Sequence, residues 1–358
     1  MITISIDAMG GAYAPHAVIE SIGLSIKRQP DLFFLIYGDP DKVLDLIAKH
    51  ALPEERYKFY PVKGVISDEA KPLDAIRRAH DSSMRQAIEA VRDKIAHAAI
   101  SCGSTGTLFV LSKVILGGLS GIKHPAIIGL VPNIAGQTVM LDMGGAIMCD
   151  ENSFFQFALM GSCFAKILLK KDNPRIGILN IGTEQTKGRE LEHKAYNLLS
   201  KSSLNFIGYA EGGDIFLDKV DVVVTDGFSG NIALKASEGA AKMFITMLRQ
   251  ASKNSLSAKI GMALMKRSLQ DTLSKIEPSQ TNGAMIIGIG GIVVKSHGNS
   301  EAPAIAHAIS VAAKLARDNI NDKISVEMKS LEEHGMTSIV DKIKQTSAKI
   351  FGSQKTNI

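Results

Sequence analysis

Four glycine-containing loops are the first candidates for chemistry, because each follows a short apolar run that is typical of a β-strand. They cover residues 7–12, 102–106, 142–146 and 226–231. Glycine lets the backbone approach an anion closely, and the first N–H groups of a following helix point towards such an anion. One such loop is weak evidence, since tight strand-to-helix packing explains it equally well. Four loops in the same position relative to their strands favour one composite site for an anionic ligand.

Three further side chains lie where they could contact that anion. Lys187 is in the segment 180–190, on a glycine-bounded turn before a predicted helix, and could neutralise a ligand held by the glycine loops. Lys295 and His297 follow the apolar run 292–294, and residues 299–303 then have the cap and first-turn proline of a helix start. The alternatives are a solvated surface lysine and a structural histidine, and both stay open at this point.

Stricter catalytic templates are missing from the sequence. It contains no G-x-x-x-x-G-K-[ST], G-x-S-x-G, H-E-x-x-H or C-x-x-C. Neither of the glycine pairs at 103–106 and 288–291 fits a dinucleotide-binding fingerprint with its acidic residue about twenty positions further on. These absences argue against a nucleotide P-loop, nucleophilic-serine hydrolysis and a structural zinc site.

Strand-like and helix-like segments alternate along the chain, which predicts an α/β fold with a mostly parallel sheet. Ligands of such sheets bind at the carboxyl ends of the strands, where these loops lie. The predicted strands cover residues 2–7, 33–37, 58–62, 98–102, 126–131, 138–142, 176–181, 205–208, 220–225 and 292–294. The predicted helices include residues 15–27, 82–94, 104–116, 153–169 and 190–200.

Composition restricts the location and the partners. The 358 residues are 45% hydrophobic and 22% charged, with a net charge of +5, 5% aromatic residues and no tryptophan. Few aromatic residues argue against nucleic-acid binding, and the mild positive charge favours an acidic protein or an anionic membrane surface. Three cysteines without metal-ligand spacing indicate a reducing compartment. With no apolar run of 18 residues and no leader, we expect a cytoplasmic protein.

The segment 255–276 differs from the rest because apolar side chains form one helical stripe flanked by lysine and arginine. One interpretation is a protruding amphipathic helical segment, about residues 250–278, that contacts anionic lipid. The alternative is that the stripe packs into the core or a dimer interface. The candidate membrane contacts are Ile260, Met262, Met265 and Leu269. We predict a single catalytic domain over residues 1–325, followed by a C-terminal helix and a frayed tail over 326–358.

Several ordered blocks together resemble the bacterial phosphate acyltransferase family, over about residues 1–320. These are Asp-Ala-Met-Gly-Gly at 7–11, Lys-Pro at 71–72, Ala-Ile-Arg at 75–77, Thr-Gly at 105–106, Leu-Asn-Ile-Gly-Thr-Glu at 179–184, Lys-Gly at 187–188, residues 221–228 with Gly230 and Asn231, and Lys-Ser-His-Gly at 295–298. The resemblance implies a three-layer α/β/α sandwich like that of isocitrate and isopropylmalate dehydrogenases. It also implies a homodimer.

The activity implied by the resemblance is transfer of a long-chain fatty acyl group from acyl carrier protein to inorganic phosphate, with no metal or cofactor. The acyl phosphate would pass to a membrane-bound glycerol-3-phosphate acyltransferase for phosphatidic acid synthesis, so the enzyme would associate peripherally with the membrane. By the same resemblance the catalytic residues are Lys187, Asn231, Asp226 and His297. The phosphate- and substrate-binding residues would be Gly10, Gly11, Arg77, Ser104, Thr105, Gly106, Asp142 and Lys295.

Four positions depart from the family pattern. Ala12, Ser104, Ala146 and Gly213 stand where the family has Asp, Asn, Asn and Arg. These departures support one alternative, a degenerate homologue that binds acyl carrier protein or membrane as a scaffold with weak catalysis. A second alternative is another enzyme of the same fold, a decarboxylating dehydrogenase or a phosphotransacetylase. The dehydrogenase requires clustered aspartates and a nucleotide loop, which the sequence lacks.

Overall fold

A computed structural model describes residues 1–66, 81–146, 148–251, 257, 261, 265 and 282–333. Within these residues the strands are β1 (Ile2–Asp7), β2 (Leu32–Gly38), β3 (Tyr57–Pro61), β4 (Ala98–Ser101), β5 (Ala126–Asn133), β6 (Gly136–Leu141), β7 (Ile176–Leu179), β8 (Phe206–Ala210), β9 (Val222–Val224), β10 (Ala284–Ile287) and β11 (Ile292–Lys295). The α-helices are α1 (His16–Arg28), α2 (Pro40–Lys49), α3 (Ser83–Arg92), α4 (Thr105–Leu116), α5 (Glu151–Leu168), α6 (Glu190–Leu199), α7 (Gly227–Ala251), α8 (Ala302–Arg317) and α9 (Ile320–Glu333).

The strands form one sheet with the order β3-β2-β1-β4-β11-β10-β5-β6-β9-β7-β8. Seven of the neighbouring pairs are parallel. Three are antiparallel, namely β11–β10, β10–β5 and β5–β6. These three reversals leave two parallel groups that run in opposite directions, β3-β2-β1-β4-β11 and β6-β9-β7-β8. The four glycine loops are therefore divided between two groups of carboxyl ends.

Helices cover both faces of the sheet because alternate strand residues are apolar and buried on opposite sides. In β1, Ile4 and Ile6 join a core that contains residues of α1, α5 and α8. Ser5 points to the other face, where its hydroxyl donates to Ala87 O in α3 at 2.6 Å. That face carries the second core, in which α3 and α4 pack on Leu35 and Val293. The three-layer α/β/α arrangement expected from the sequence is present.

The start of α5 is fixed by a reciprocal capping box. Asp150 Oδ1 accepts the Ser153 N–H at 2.8 Å, and Ser153 Oγ accepts the Asp150 N–H at 3.2 Å. Lys123 Nζ lies 2.9 Å from the second carboxylate oxygen of Asp150. Burial alone would raise the pKa of Asp150, but the hydrogen bonds from Lys123 and Ser153 outweigh it and lower the pKa to about 2.

The sequence-based elements agree with the structure at all ten predicted strands, with shifts of at most two residues at their ends. Strand β10 and helix α2 were not predicted. Helix α8 begins where the cap and proline pattern indicated, with Pro303 in its first turn. Helix α9 begins at Ile320, so it crosses the predicted boundary at 325. The tail from 334 onward lies outside the described residues.

Candidate active site

The first group of loops is organised by a buried carboxylate at the end of β1. Asp7 is 2% exposed, and its oxygens accept the Ser83 hydroxyl at 2.5 Å, the Ser101 hydroxyl at 2.7 Å and the Met9 N–H at 3.1 Å. Burial is the largest influence on this carboxyl and raises its pKa, although the hydrogen bonds offset part of the effect. Asp7 therefore connects the loop after β1 to β4 and to the first turn of α3.

Glycine is required where these loops meet. A Cβ at Gly10 would lie 2.6 Å from both Gly103 N and Asp7 Oδ2. Gly11 has a φ of +98°, and a Cβ there would lie 2.8 Å from Cys102 Cβ and 3.0 Å from Gly298 O. Such contacts leave no room for any side chain. The loops after β1, β4 and β11 consequently form one packed unit.

Lys295 and the backbone of His297 belong to this unit. Lys295 is 9% exposed, and its ammonium donates to Cys102 O at 3.3 Å and to Ser296 O. The buried amide of Asn282 holds the same loop, because its Oδ1 accepts the His297 N–H at 3.1 Å and its Nδ2 donates to Ser296 Oγ at 2.7 Å. Both side chains thus position the loop after β11.

Helix α4 presents its amino terminus beside these loops. It begins at Thr105 after Ser104, whose side chain makes no capping hydrogen bond. Thr105 and Gly106 are exposed. The first N–H groups of a helix have no intrahelical acceptor, and together with the helix dipole they favour an anion. This terminus can therefore receive a phosphate oxygen.

The second group of loops is organised by Asp142, at the end of β6. Its carboxylate is fully buried and accepts N–H groups from Ile127 at 2.8 Å, Gly144 at 3.1 Å and Gly145 at 2.9 Å, and a fourth from Ala146. Burial raises the pKa of Asp142, and these hydrogen bonds, which lower it, offset only part of that effect. Because both oxygens are used by backbone amides, the side chain shapes the loop 142–146 from inside.

Helix α7 begins directly against that loop. The Gly227 N–H donates to Ala146 O at 2.9 Å. A Cβ at Gly144 would lie 3.5 Å from Asn231 Cβ, so the exposed Asn231 sits beside the loop in the second turn of the helix. Asp226 caps the helix, because its carboxylate accepts the Ser229 N–H at 2.8 Å and the Ser229 hydroxyl at 3.0 Å.

Lys187 lies on the loop that follows β7. The side chain of Asn180 crosses the loop, and its Nδ2 donates to Gly182 O at 3.1 Å and to Lys187 O at 3.0 Å. Gly188 has a φ of +106°, and a Cβ there would lie 2.6 Å from Asn180 Oδ1. The Lys187 side chain is exposed to solvent. The loop is thus fixed from within while its lysine stays available to a ligand.

Arg189 joins this loop to the start of α7. Its guanidinium lies 2.5 Å from Asp226 Oδ2 and also pairs with Glu192. Burial would raise the pKa of Asp226, but hydrogen bonds from Ser229 and Arg189 outweigh it and hold that pKa below its ordinary value. Asp226 is therefore ionised at neutral pH.

Residues of α7 act on both groups of loops. Burial is the largest influence on the His297 imidazole and lowers its pKa; the charge of Glu238 opposes this, and Lys295 and Lys235 add to it. His297 is nevertheless exposed. Glu238 is seven residues from Asn231, which is about 10 Å along the helix. A Cβ at Gly145 would also lie 2.5 Å from Phe109 of α4.

The structure places the predicted residues on two sides of one region. Gly10, Gly11, Ser104, Thr105, Gly106, Lys295 and His297 lie at the ends of β1, β4 and β11, and Asp142, Lys187, Asp226 and Asn231 lie at the ends of β6, β7 and β9. Arg77, Ile260, Met262 and Leu269 lie outside the described residues, whereas Met265 is 59% exposed. Sequence reasoning did not select Asn180, Arg189 or Asn282, although Asn180 stands in a family block. Among described residues, no group of His, Cys, Asp or Glu has the arrangement of a metal site.

The fold belongs to the α/β class and resembles the folds of solved phosphotransacylases. A phosphotransacetylase from Streptococcus pyogenes superposes with a TM-score of 0.61 at 15% identity, covering 88% of this chain and 94% of that one. A branched-chain phosphotransacylase from Enterococcus faecalis gives a TM-score of 0.56 at 13% identity, covering 88% and 99%. At these identities the likeness concerns the fold alone, and it confirms the expected α/β class.

Residues 2–323 match the model of the family described as fatty acid synthesis protein, and the chain belongs to this family. A phosphate acyltransferase from a Wolbachia of Brugia malayi is 41% identical over 337 residues, which cover 92% of this chain and 98% of that protein. A phosphate acyltransferase from Paramagnetospirillum magneticum is 40% identical over 335 residues, covering 92% and 95%. The family expected from the sequence is confirmed.

Proposed function

We infer that this protein is a phosphate acyltransferase, an enzyme that transfers a fatty acyl group to inorganic phosphate for phospholipid synthesis. The observation that carries the inference is the 41% identity to a phosphate acyltransferase over nearly the whole of both chains. The geometry is compatible with it. The loop 142–146 lies against the start of α7, and the side chain of Phe109 on α4, the helix with the uncapped start, lies beside Gly145 of the same loop, so an anion and a carbonyl oxygen could both be bound in this region.

The reaction uses phosphate itself as the nucleophile. A phosphate oxygen attacks the thioester carbonyl, the new C–O bond forms, the C–S bond breaks, and the leaving thiolate takes up a proton. We assign Lys187 to neutralising and orienting the phosphate, and Asn231 to donating a hydrogen bond to the carbonyl oxygen as negative charge develops. Asp226 stays ionised and fixes the start of α7, which positions Asn231. Burial lowers the pKa of His297, so its imidazole is mostly neutral at pH 7 and can accept the proton of the attacking phosphate and pass it to the leaving thiolate.

The substrate-binding roles divide between backbone and side chains. Gly10, Gly11, Ser104, Thr105 and Gly106 are proposed to bind phosphate or line the acyl cleft through their backbone. Asp142 and Lys295 are proposed to act by shaping their loops, since the described contacts of both side chains are with backbone groups. Residues 1–325 would act as one catalytic domain, with Arg77 as a further phosphate ligand.

For the partners, we propose acyl carrier protein as the acyl donor, a homodimer, and a peripheral membrane contact near 250–278. The described part of α7 supports an exposed apolar surface in this region. Met243, Phe244 and Met247 are 61%, 59% and 59% exposed, and Met265 is also 59% exposed. None of the described helices is long and apolar enough to cross a membrane. Surface contact would allow the labile acyl phosphate to pass to a membrane-bound glycerol-3-phosphate acyltransferase.

The decisive experiment follows thiol release from acyl carrier protein loaded with acyl chains of several lengths, with and without inorganic phosphate. We expect phosphate-dependent release and an acyl phosphate product in the mass spectrum, fastest for long chains. Binding of acyl carrier protein without phosphate-dependent turnover would instead support the scaffold alternative. Preference for acetyl groups would support a phosphotransacetylase.

The membrane contact is tested separately by co-sedimentation with anionic vesicles. Met265→Glu should weaken vesicle binding and leave turnover with soluble substrates unchanged, and salt should weaken binding of the unmodified protein. Val326→Glu is the matched control, because Val326 is an equally exposed apolar residue, at 66%, on α9. Equal loss of binding in both variants would contradict a contact at the 250–278 segment.

A further inference from the structure

Two arginines bridge carboxylates at opposite ends of the same pair of strands. Strands β7 and β9 are parallel neighbours. Arg175 immediately precedes β7 and pairs with Asp221, which immediately precedes β9. Arg189 and Asp226 follow the same two strands. One ion-pair cluster therefore lies at the amino ends and another at the carboxyl ends, where the candidate site lies.

The carboxyl-end cluster consists of Arg189, Glu192 and Asp226. Arg189 Nε lies 3.0 Å and 3.1 Å from the two oxygens of Glu192, and Nη2 donates to both Glu192 and Asp226. Glu192 is 3% exposed and Asp226 is 4% exposed, whereas the arginine side chain is 59% exposed. Glu192 Oε2 also accepts the Arg189 N–H at 3.0 Å. The cluster joins the loop after β7, the first turn of α6 and the start of α7.

The amino-end cluster has the same chemistry. Arg175 Nε lies 3.0 Å from Asp221 Oδ2, and its Nη2 lies 3.0 Å from both Asp221 Oδ1 and Asp218 Oδ1. Lys171 Nζ lies 3.4 Å from Asp221 Oδ1. The Asp221 side chain is 6% exposed and that of Arg175 is 36% exposed. The main difference between the two clusters is their place: the Arg175 cluster lies at the amino ends of β7 and β9, and the Arg189 cluster lies at their carboxyl ends.

We infer that Arg189 is a positioning residue for acyl transfer, holding the loop that carries Lys187 against the start of the helix that carries Asn231. This rests on the proposed function. Arg189 is two residues from Lys187, and the Asp226 carboxylate is already held at the start of α7 by its bonds from Ser229, so the ion pair connects the Lys187 loop to a fixed helix start. The Arg189 donors Nε and Nη2 already bond to Glu192 and Asp226. We therefore assign the guanidinium to positioning the loop and not to binding the substrate.

Loss of this ion pair has a definite consequence for the loop. Without the guanidinium, the described side-chain bonds of the Lys187 segment are those of Asn180 within the loop, the bond from Gln185 to the Tyr196 hydroxyl of α6, and the bond from the Arg189 N–H to Glu192 of the same helix. These bonds keep the loop's shape but do not connect it to α7. A displacement of about 1 Å between reacting groups lowers a rate by about 100-fold. The loss of rate caused by Arg189→Ala should therefore be large only when Lys187 is present.

A double-mutant cycle measures this dependence. Arg189→Ala, Lys187→Ala and the double variant are compared by kcat/KM for phosphate in the acyl carrier protein assay. We expect Arg189→Ala to lower kcat/KM by about 10- to 100-fold in the otherwise unchanged protein and by less than about 3-fold in the Lys187→Ala background. Arg189→Lys keeps the charge without the planar fork, so it should restore part of the activity.

Arg175→Ala is the matched control at the other end of the strands. It should lower the melting temperature by an amount comparable to Arg189→Ala, and its effect on kcat/KM should stay below about 3-fold in both backgrounds. Equal losses for Arg189→Ala with and without Lys187, or the same loss for Arg175→Ala, would overturn the inference. If Arg189→Ala does not fold, Arg189→Lys carries the same cycle. Absence of turnover in the unmodified protein would refute the proposed function instead.

Discussion

Replacing Gly230 by alanine adds one methyl group, which should push the loop 142–146 away from the start of α7. A Cβ at this position would lie 1.9 Å from Asp142 O and 2.8 Å from Thr225 Cγ2. Cβ atoms do not approach neighbouring atoms closer than 3.0 Å in real proteins. The backbone of Asp142 has little freedom to move, because its own carboxylate is bonded to the loop around it. In Gly230→Ala the loop and the helix must therefore move apart by about 1 Å or more.

The expected cost follows from that displacement. Overpacking of this kind destabilises a protein by about 1–3 kcal/mol. Asn231 is the next residue on the helix, and moving a catalytic group by about 1 Å lowers a rate by about 100-fold. Gly230→Ala should thus lose about two orders of magnitude in kcat/KM while it remains folded at 25 °C. Urea unfolding gives the stability, and thiol release from acyl carrier protein gives the rate.

Gly239→Ala on the same helix is the control. A Cβ at Gly239 would meet no atom of the described residues within 4 Å, and alanine is favoured over glycine in a helix interior by about 0.5–1 kcal/mol. This variant should gain stability and keep its activity. If Gly230→Ala has the turnover of the unmodified protein, then the contact between the loop 142–146 and α7 does not position the catalytic residues.

Three further variants, two single and one triple, test other parts of the structure. Lys187→Ala should lose about 2–4 kcal/mol of transition-state stabilisation with an unchanged melting temperature, since the side chain is exposed; near-normal kcat/KM would exclude a catalytic role. Asp150→Ala should cost about 1–2 kcal/mol of unfolding free energy by removing the cap of α5. The pKa of Asp150 is lowered from 3.8 to about 2 in the folded protein, so the stability difference between the two proteins should be complete above about pH 4 and vanish as the pH falls towards 2. A stability difference that does not change with pH would contradict the role of ionised Asp150 as the cap. Ala12→Asp, Ser104→Asn and Ala146→Asn together should raise turnover, and an unchanged rate in a folded triple variant would show that these departures are neutral or compensated.

Much of the fold could be predicted because strands and loops leave local patterns in this sequence. The alternation in β1 predicts a strand, and the buried apolar runs of the other strands are short and bounded by glycine or polar residues. The cap and proline before α8 predicted its start within a few residues. Helix α2 begins with a capping aspartate and a proline at positions 39 and 40, so the sequence contained a start pattern that was not used.

The direction of the strands could not be read in the same way. Strand β10 is antiparallel to both its neighbours, and this reversal is set by pairings between residues far apart in the chain, such as Met285 with Ile128. Local periodicity reports burial and not direction. For the same reason the ion pair between Arg189 and Asp226 is invisible in the sequence, since 37 positions separate its partners. The resemblance identified the loops, and tertiary pairing determined which of them meet.

Three aspartates that follow strands in similar glycine motifs have different roles because their surroundings differ. Asp7 and Asp142 are buried among hydroxyl and amide donors, and burial raises the pKa of both. At Asp226 the hydrogen bonds from Ser229 and Arg189 outweigh burial and lower the pKa. The charge of Asp226 is paired with the Arg189 guanidinium, and the carboxylates of Asp7 and Asp142 are enclosed by hydroxyl and amide donors, which reduces the repulsion that phosphate would meet at the loops. In the proposed mechanism, a phosphate that enters the region meets helix amides and the exposed side chains of Lys187 and Asn231, which is the polarity that transfer of an acyl group to phosphate requires.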